Sequence, residues 1–140
     1  MKRPERVIVD TSYLVALCSQ DDDYHKACHA DLAKHPANTK YYSIESCISE
    51  FCFLLPGSTF LDDLRNLKNT LPIQIESLDQ RQWIRAFELL KKHEDASMDF
   101  ADAALVTIAE SLNITAILTL DRRDFQRYRP KHVKSLTIFP

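Results

Sequence analysis

The stretch Arg6-Val7-Ile8-Val9-Asp10-Thr11-Ser12 decides how the rest of the chain is read. Val7, Ile8 and Val9 form a β-branched run, apolar on both faces and preceded by the charged residues Lys2, Arg3, Glu5 and Arg6, which predicts a buried parallel strand. Asp10 then falls at the carboxyl end of that strand, where open α/β sheets place their ligand crevice. A carboxylate leaving an apolar strand needs a partner, because stranding a buried charge costs about several kcal/mol of lost solvation. A base, an arginine or a cation would serve.

Working outward, Tyr13 to Cys18 reads as a helix with Thr11 or Ser12 as its N-cap. Asp21-Asp22-Asp23 interrupts it, read as a solvated helix start rather than a metal loop, and a second helix runs from Tyr24 to Lys34. Lys40 to Ile44 has strand propensity, and Glu45 to Leu54 reads as a helix ended by Pro56-Gly57, with Ile48, Phe51, Cys52 and Leu55 on one apolar stripe and Glu50 projecting off it. A short helix from Phe60 to Asn69 leads through Pro72 into a peripheral strand. Asp79 to His93 is the longest amphipathic helix, with Trp83 as a packing anchor.

Ser97 to Leu112 is apolar nearly all round and so predicts a helix buried against the sheet. Asp99 and Asp102 share a face at its amino end, Asp99 placed to cap it and Asp102 flanked by Ala101, Ala103 and Ala104, which directs that carboxylate into a tight interior. Ile114 to Leu120 is a further apolar strand ending in Asp121, as the first ends in Asp10. Arg122-Arg123-Asp124-Phe125 turns into a short helix, and Val133 to Phe139 closes the sheet.

At 140 residues, 45% hydrophobic and 27% charged, the chain predicts one soluble globular domain over residues 1–140. Its formal charge of -2 excludes a broad basic surface, so a nucleic-acid substrate would need a local basic strip or bound metal. No apolar run is long enough to cross a bilayer and no signal-peptide core opens the chain, which points to a cytoplasmic protein with no membrane association. Cys18, Cys28, Cys47 and Cys52 form no CxxC pair and read as free, buried thiols. His25, Cys28 and His29 have ligand-like helical spacing, but no second cluster closes a tetrahedron around zinc.

Strands alternating with helices predict an α/β fold, a parallel sheet with helices on both faces. Such a sheet brings Asp10 and Asp121 together and delivers Glu50 and Asp102 to the same crevice. Four converging carboxylates repel one another unless a cation sits among them, and an all-oxygen set suits Mg²⁺ or Mn²⁺. One or two such ions activate water and bridge a phosphate, so metal-assisted phosphodiester hydrolysis is the chemistry this pattern suggests.

Val7-Ile8-Val9-Asp10-Thr11-Ser12, Ser46-x-x-x-Glu50, Asp102-Ala-Ala-Leu-Val and Leu118-Thr119-Leu120-Asp121-Arg122-Arg123-Asp124-Phe125 together resemble the PIN domain, and more narrowly the VapC-type toxin ribonucleases of bacterial toxin-antitoxin pairs. The resemblance spans nearly the whole chain in order. It implies a three-layer α/β/α PIN-like domain with a mostly parallel sheet of four to five strands, and an endoribonuclease dependent on Mg²⁺ or Mn²⁺. Its four acids fall on Asp10, Glu50, Asp102 and Asp121, with Asp10, Asp102 and Asp121 on the metal. Thr11 and Thr119 match hydroxyls that orient the acids or the ion's water, Asp124 duplicates the charge of Asp121, and Asp99 matches an extra acid of a subset. An RNA substrate, a homodimer and a cognate antitoxin whose tail plugs the site are implied as well.

Independently, Arg122, Arg123, Arg127, Arg129, Lys131 and Lys134 crowd into the segment after Asp121, a strip suited to the phosphates of a single strand. Rival readings are a PIN-like module that only binds RNA or a partner, and another Mg-dependent phosphoryl-transfer enzyme. A haloacid-dehalogenase-type phosphatase would need a second Asp where Ser12 stands, and a receiver domain a lysine after its fifth strand.

Overall fold

Strand β1 (Arg6–Val9) is the centre from which the sheet grows in the computed structural model, which describes residues 2–55, 57 and 59–140. On one side of β1 lies β2 (Lys40–Ile44), then β3 (Ile73–Glu76) at the edge; on the other lies β4 (Ala116–Leu118), then β5 (Thr137–Phe139). All four pairings are parallel. The five-stranded order β3-β2-β1-β4-β5 reverses direction at the β1/β4 boundary. That reversal is the topological switch point, and the crevice opens beyond the carboxyl ends of these two strands.

The period of two along each strand sorts the core into two layers. Val7, Val9, Ala116 and Leu118 turn to one face, where they meet Tyr13, Leu14 and Leu17 of α1 (Thr11–Cys18), Cys28 of α2 (His25–Leu32), Phe51 of α3 (Glu45–Leu54) and Leu67 of α4 (Phe60–Thr70). Ile8 and Ile117 turn to the other face, against Ala86 and Leu89 of α5 (Gln80–Lys92), the alanine-rich side of α6 (Phe100–Leu112) and Phe125 of α7 (Arg122–Arg127). The three-layer α/β/α arrangement is thus the one that the alternating pattern predicts. Its helix starts are chemically marked: Asp79 and Gln82 form a reciprocal capping box on α5, and Asp99 caps α6 by accepting the Asp102 amide at 2.8 Å.

The sequence reading overextends the last two strands. β4 ends at Leu118; just beyond it the Thr119 amide still donates to the Phe139 carbonyl at 2.9 Å, while the Thr119 side chain turns to Asp10. α1 begins at Thr11, one residue after Asp10, so Asp10 itself occupies the N-cap position, with no side-chain cap bond. Pro56, read as the breaker after α3, lies outside the described residues; Gly57 adopts φ +79, the left-handed conformation that glycine accommodates. Among the described residues no helix is long and apolar enough to cross a membrane.

Ile117 is fully buried between β1 and β5 and packs under α6. Ile117→Ala should therefore lower unfolding free energy by about 2–5 kcal/mol in urea denaturation; a loss under about 1 kcal/mol would mean that this layer is not close-packed.

Candidate active site

Asp10 leaves β1 with its backbone in register, its amide bonded to the Leu118 carbonyl at 2.9 Å, so Thr119 emerges beside it from β4. Two hydroxyls then converge on one carboxylate oxygen. Thr119 Oγ1 and Ser12 Oγ each donate to Asp10 Oδ2 at 2.8 Å, and each accepts a backbone N–H in return, from Asp121 and from Leu120, at 3.0 Å. The turn after β4 is thereby laced to the start of α1 through a single acidic side chain. Ser12 is a site residue that sequence reasoning missed, having served there only as a candidate cap. Thr11, expected to orient an acid, instead donates to the Cys47 carbonyl of α3 at 3.3 Å.

The carboxylates of Asp102 and Asp121 share this crevice. Burial pushes the Asp10 carboxyl up to about 6; its two hydroxyl bonds pull the other way and the nearby charge of Asp121 adds to the rise. Burial likewise raises Asp102 to about 8, opposed by a hydrogen bond from Tyr128 and reinforced by the charges of Asp99 and Asp10. Asp121, exposed at the rim, is raised too, by partial desolvation first, with Asp124 and Asp99 contributing and its direct interaction with Asp10 opposing. Asp99 and Asp124 therefore act on the site through their charge, while Asp99 also caps α6. Glu50 stands apart. It lies half-buried in α3 near the Cys47 thiol, which burial pushes up to about 12 and which feels the charges of both Asp10 and Glu50. None of the three aspartates counts Glu50 among its main electrostatic neighbours.

A second buried carboxylate supplies the contrast. Asp31 is 3% exposed, the same as Asp10, but it has Arg3 at 2.8 Å and the Tyr13 hydroxyl at 2.8 Å. Among the described residues no Lys, Arg or His forms an ion pair with Asp10, Asp102 or Asp121. A buried carboxylate, Asp10, facing the half-buried Asp102 and the exposed Asp121 with no basic side chain among the described residues paired to any of them, is held at a cost that a divalent ion would offset. Among the described residues no three His, Cys, Asp or Glu side chains stand close enough to form a ready-made chelate. Mg²⁺ commonly takes one or two carboxylates and keeps several waters, so the all-oxygen donor set here fits Mg²⁺ or Mn²⁺ on its chemistry.

Other sequence candidates resolve differently. His25 and His29 face the carbonyls of Ala16 and Leu17 at 2.7 and 2.9 Å, tying α2 to the open end of α1 rather than pointing at a common centre. In the acidic triplet, Asp22 accepts the Tyr24 amide at 2.8 Å and shapes the turn into α2. Arg122 donates to the carbonyls of Ile138 and Pro140, Arg129 to those of Gln126 and Tyr128, and Arg127 to that of Asp95. Neutral acceptors fix these guanidinia without cancelling their charge. Arg123 is exposed and makes no hydrogen bond or ion pair among the described residues. Trp83 stacks on Phe100 at 5.0 Å yet stays 42% exposed, so it anchors α5 to α6 only along one face of its ring.

The chain belongs to the PIN domain family, whose profile matches residues 7–130. Over 56 residues it is 38% identical to ribonuclease VapC26 of Mycobacterium tuberculosis, a stretch covering 40% of this chain and 42% of that relative. The crystal structure of M. tuberculosis VapC20, described as a sarcin-ricin loop cleaving toxin, matches with a TM-score of 0.72 at 18% identity, over 84% of this chain and 92% of that one. PAE2754 from Pyrobaculum aerophilum matches with a TM-score of 0.55 at 21% identity, over 96% and 82% of the two chains. At these identities the two structures speak for the fold alone.

The electrostatics of the crevice have a sign that can be measured. An acid whose folded pKa is raised stabilises the fold fully below its unfolded value and loses that contribution as pH climbs through the folded value. For Asp10 the window runs from about 4 to about 6. In chelator-treated protein, Asp10→Asn should gain stability relative to wild type across this window, on the order of 3 kcal/mol by pH 8. Taking the difference removes the parallel titrations of His35 and His93, whose pKa values burial lowers. A difference that stays level with pH would mean that Asp10 is not electrostatically strained.

Proposed function

We propose that this chain is a divalent-metal-dependent endoribonuclease, a nuclease domain over residues 1–140 acting as the toxin of a toxin-antitoxin pair. The observation that carries the reading is the meeting of buried Asp10 with Asp102 and Asp121 at the sheet's switch point, with no basic side chain paired to any of them among the described residues. Membership of the PIN family and the partial identity to a ribonuclease support it.

In this reading Asp10, Asp102 and Asp121 hold Mg²⁺ or Mn²⁺, and Glu50 approaches from α3 as the fourth acid when substrate is present. Ser12 and Thr119 keep Asp10 ionised and fixed by donating to one of its oxygens. Thr11 holds α3, and so Glu50, against α1 through the Cys47 carbonyl. The chemistry that a bound divalent ion supplies is activation of water and stabilisation of the leaving oxygen in phosphodiester hydrolysis. Arg123 and Arg122 meet the flanking phosphates of the RNA strand.

A cytoplasmic setting, a cognate antitoxin and a homodimer complete the proposal. Two exposed apolar surfaces support protein partners. One is a groove of about 560 Å³ between α4 and the edge strand, lined by Ile48, Leu64, Leu67, Leu71, Ile73 and Ile75. The other is the outward face of α5, with Trp83, Ile84 and Phe87 each more than two-fifths exposed.

Mn²⁺ should raise the melting temperature of the wild-type protein by binding the folded state, and Asp10→Asn should lose most of that rise. Asp102→Asn should fold normally yet cleave RNA no faster than a no-enzyme control. Wild-type cleavage by this variant would reject the assignment. For the basic strip, Arg123→Gln should flatten the slope of log affinity for single-stranded RNA against log salt by about 0.7, the value of one phosphate contact. An unchanged slope would remove Arg123 from the RNA path.

A further inference from the structure

One side chain touching the acidic crevice has no part in the scheme above. The Tyr128 hydroxyl donates to Asp102 Oδ2 at 2.6 Å, across 26 residues of sequence. It is the one side-chain donor to Asp102 among the described residues, because the flanking Ala101, Ala103 and Ala104 carry no polar group. Asp102 Oδ1 is left without a side-chain donor among the same residues.

The tyrosine is itself immobilised. It is 1% exposed, and its ring meets Phe125 edge-on at 5.1 Å and His93 edge-on at 5.3 Å. His93, at the end of α5, faces the Leu89 carbonyl through Nδ1 at 3.0 Å and accepts the Arg129 amide on Nε2 at 3.1 Å. Those two bonds require the tautomer with its proton on Nδ1. The residue following Tyr128 and the ring beside it are therefore both fastened to one helix end. A rigid strut runs from α5 through His93 and Tyr128 to the acid at the start of α6.

We propose that Tyr128 is a positioning residue for the divalent ion, saturating one oxygen of Asp102 so that the carboxylate is held in a single orientation for Mg²⁺ or Mn²⁺; the inference rests on the metal-dependent reading above. Outer partners of this kind orient metal ligands, and their loss typically weakens metal affinity by about 10- to 100-fold. A phenylalanine at this position would keep the ring between Phe125 and His93 and remove only the hydroxyl.

The test is calorimetric titration of Mn²⁺ into the chelator-stripped full chain, for wild type, Tyr128→Phe, Asp102→Asn and the double variant, with the melting temperature of each recorded without metal. Tyr128→Phe should bind Mn²⁺ about tenfold more weakly than wild type and should change affinity by less than about twofold in the Asp102→Asn background, since it acts through that carboxylate. Phe125→Leu loosens the same aromatic cluster but spares the hydroxyl. It should lower the metal-free melting temperature and leave Mn²⁺ affinity within about twofold.

Wild-type affinity in Tyr128→Phe would overturn the inference and leave the metal reading standing. So would an undiminished effect in the Asp102→Asn background, or an equal loss of affinity in Phe125→Leu. Absence of Mn²⁺ binding by the wild-type chain would overturn both.

Discussion

A carboxylate shielded from water at the end of the central strand, with hydroxyls but no cation to meet it, is the constraint around which this molecule is arranged. Asp10 is as buried as Asp31, and the two show opposite solutions to one problem. Asp31 is compensated within the chain by Arg3 and Tyr13. Asp10 is instead surrounded by further acid, so its compensation has to come from outside. Structural ion pairs are closed; functional sites leave an imbalance for the ligand to correct.

The fold makes that imbalance possible by holding the acids on separate rigid elements. Asp10 sits at the β1–α1 junction, Asp102 in the first turn of α6 and Asp121 at the head of α7. The strand order brings these junctions to one end of the sheet, and the hydroxyls of Ser12 and Thr119 bridge β1 to the turn after β4. Neighbouring carboxylates would otherwise drift apart into solvent. Preorganisation of this sort costs stability, a cost that a bound cation would offset.

What could be read from the residues in order was whatever depends on local pattern. The β-branched run Val7-Ile8-Val9, the strand from Lys40 and the long helix after Asp79 follow from periodicity and capping, and the structure has them at nearly those bounds. The α/β layering follows from their alternation. Contacts between distant residues were out of reach. Nothing near Tyr128 in sequence marks it as a partner of Asp102, and the choice between Thr11 and Ser12 depends on the helix starting one residue earlier than a capping hydroxyl would place it. β4 looked longer than it is because Thr119 and Leu120 continue an apolar, β-prone run, whereas after the Thr119 amide the backbone amides of Leu120 and Asp121 go to the Ser12 and Thr119 hydroxyls. For the acids, the pattern placed Asp10, Glu50, Asp102 and Asp121 in one crevice; in the structure Asp102 and Asp121 each interact with Asp10, while Glu50 and Asp10 both act on the Cys47 thiol of α3. The metal itself, the RNA and the partners stand on chemistry and kinship.

The most direct measurement is the anomalous scattering of Mn²⁺ in crystals of the wild-type chain. The account predicts a peak about 2.0–2.2 Å from an Asp10 oxygen, with Asp102 or Asp121 as a further ligand and water filling the remaining positions. A peak elsewhere, or a crevice without one at Mn²⁺ concentrations that raise the melting temperature, would contradict it.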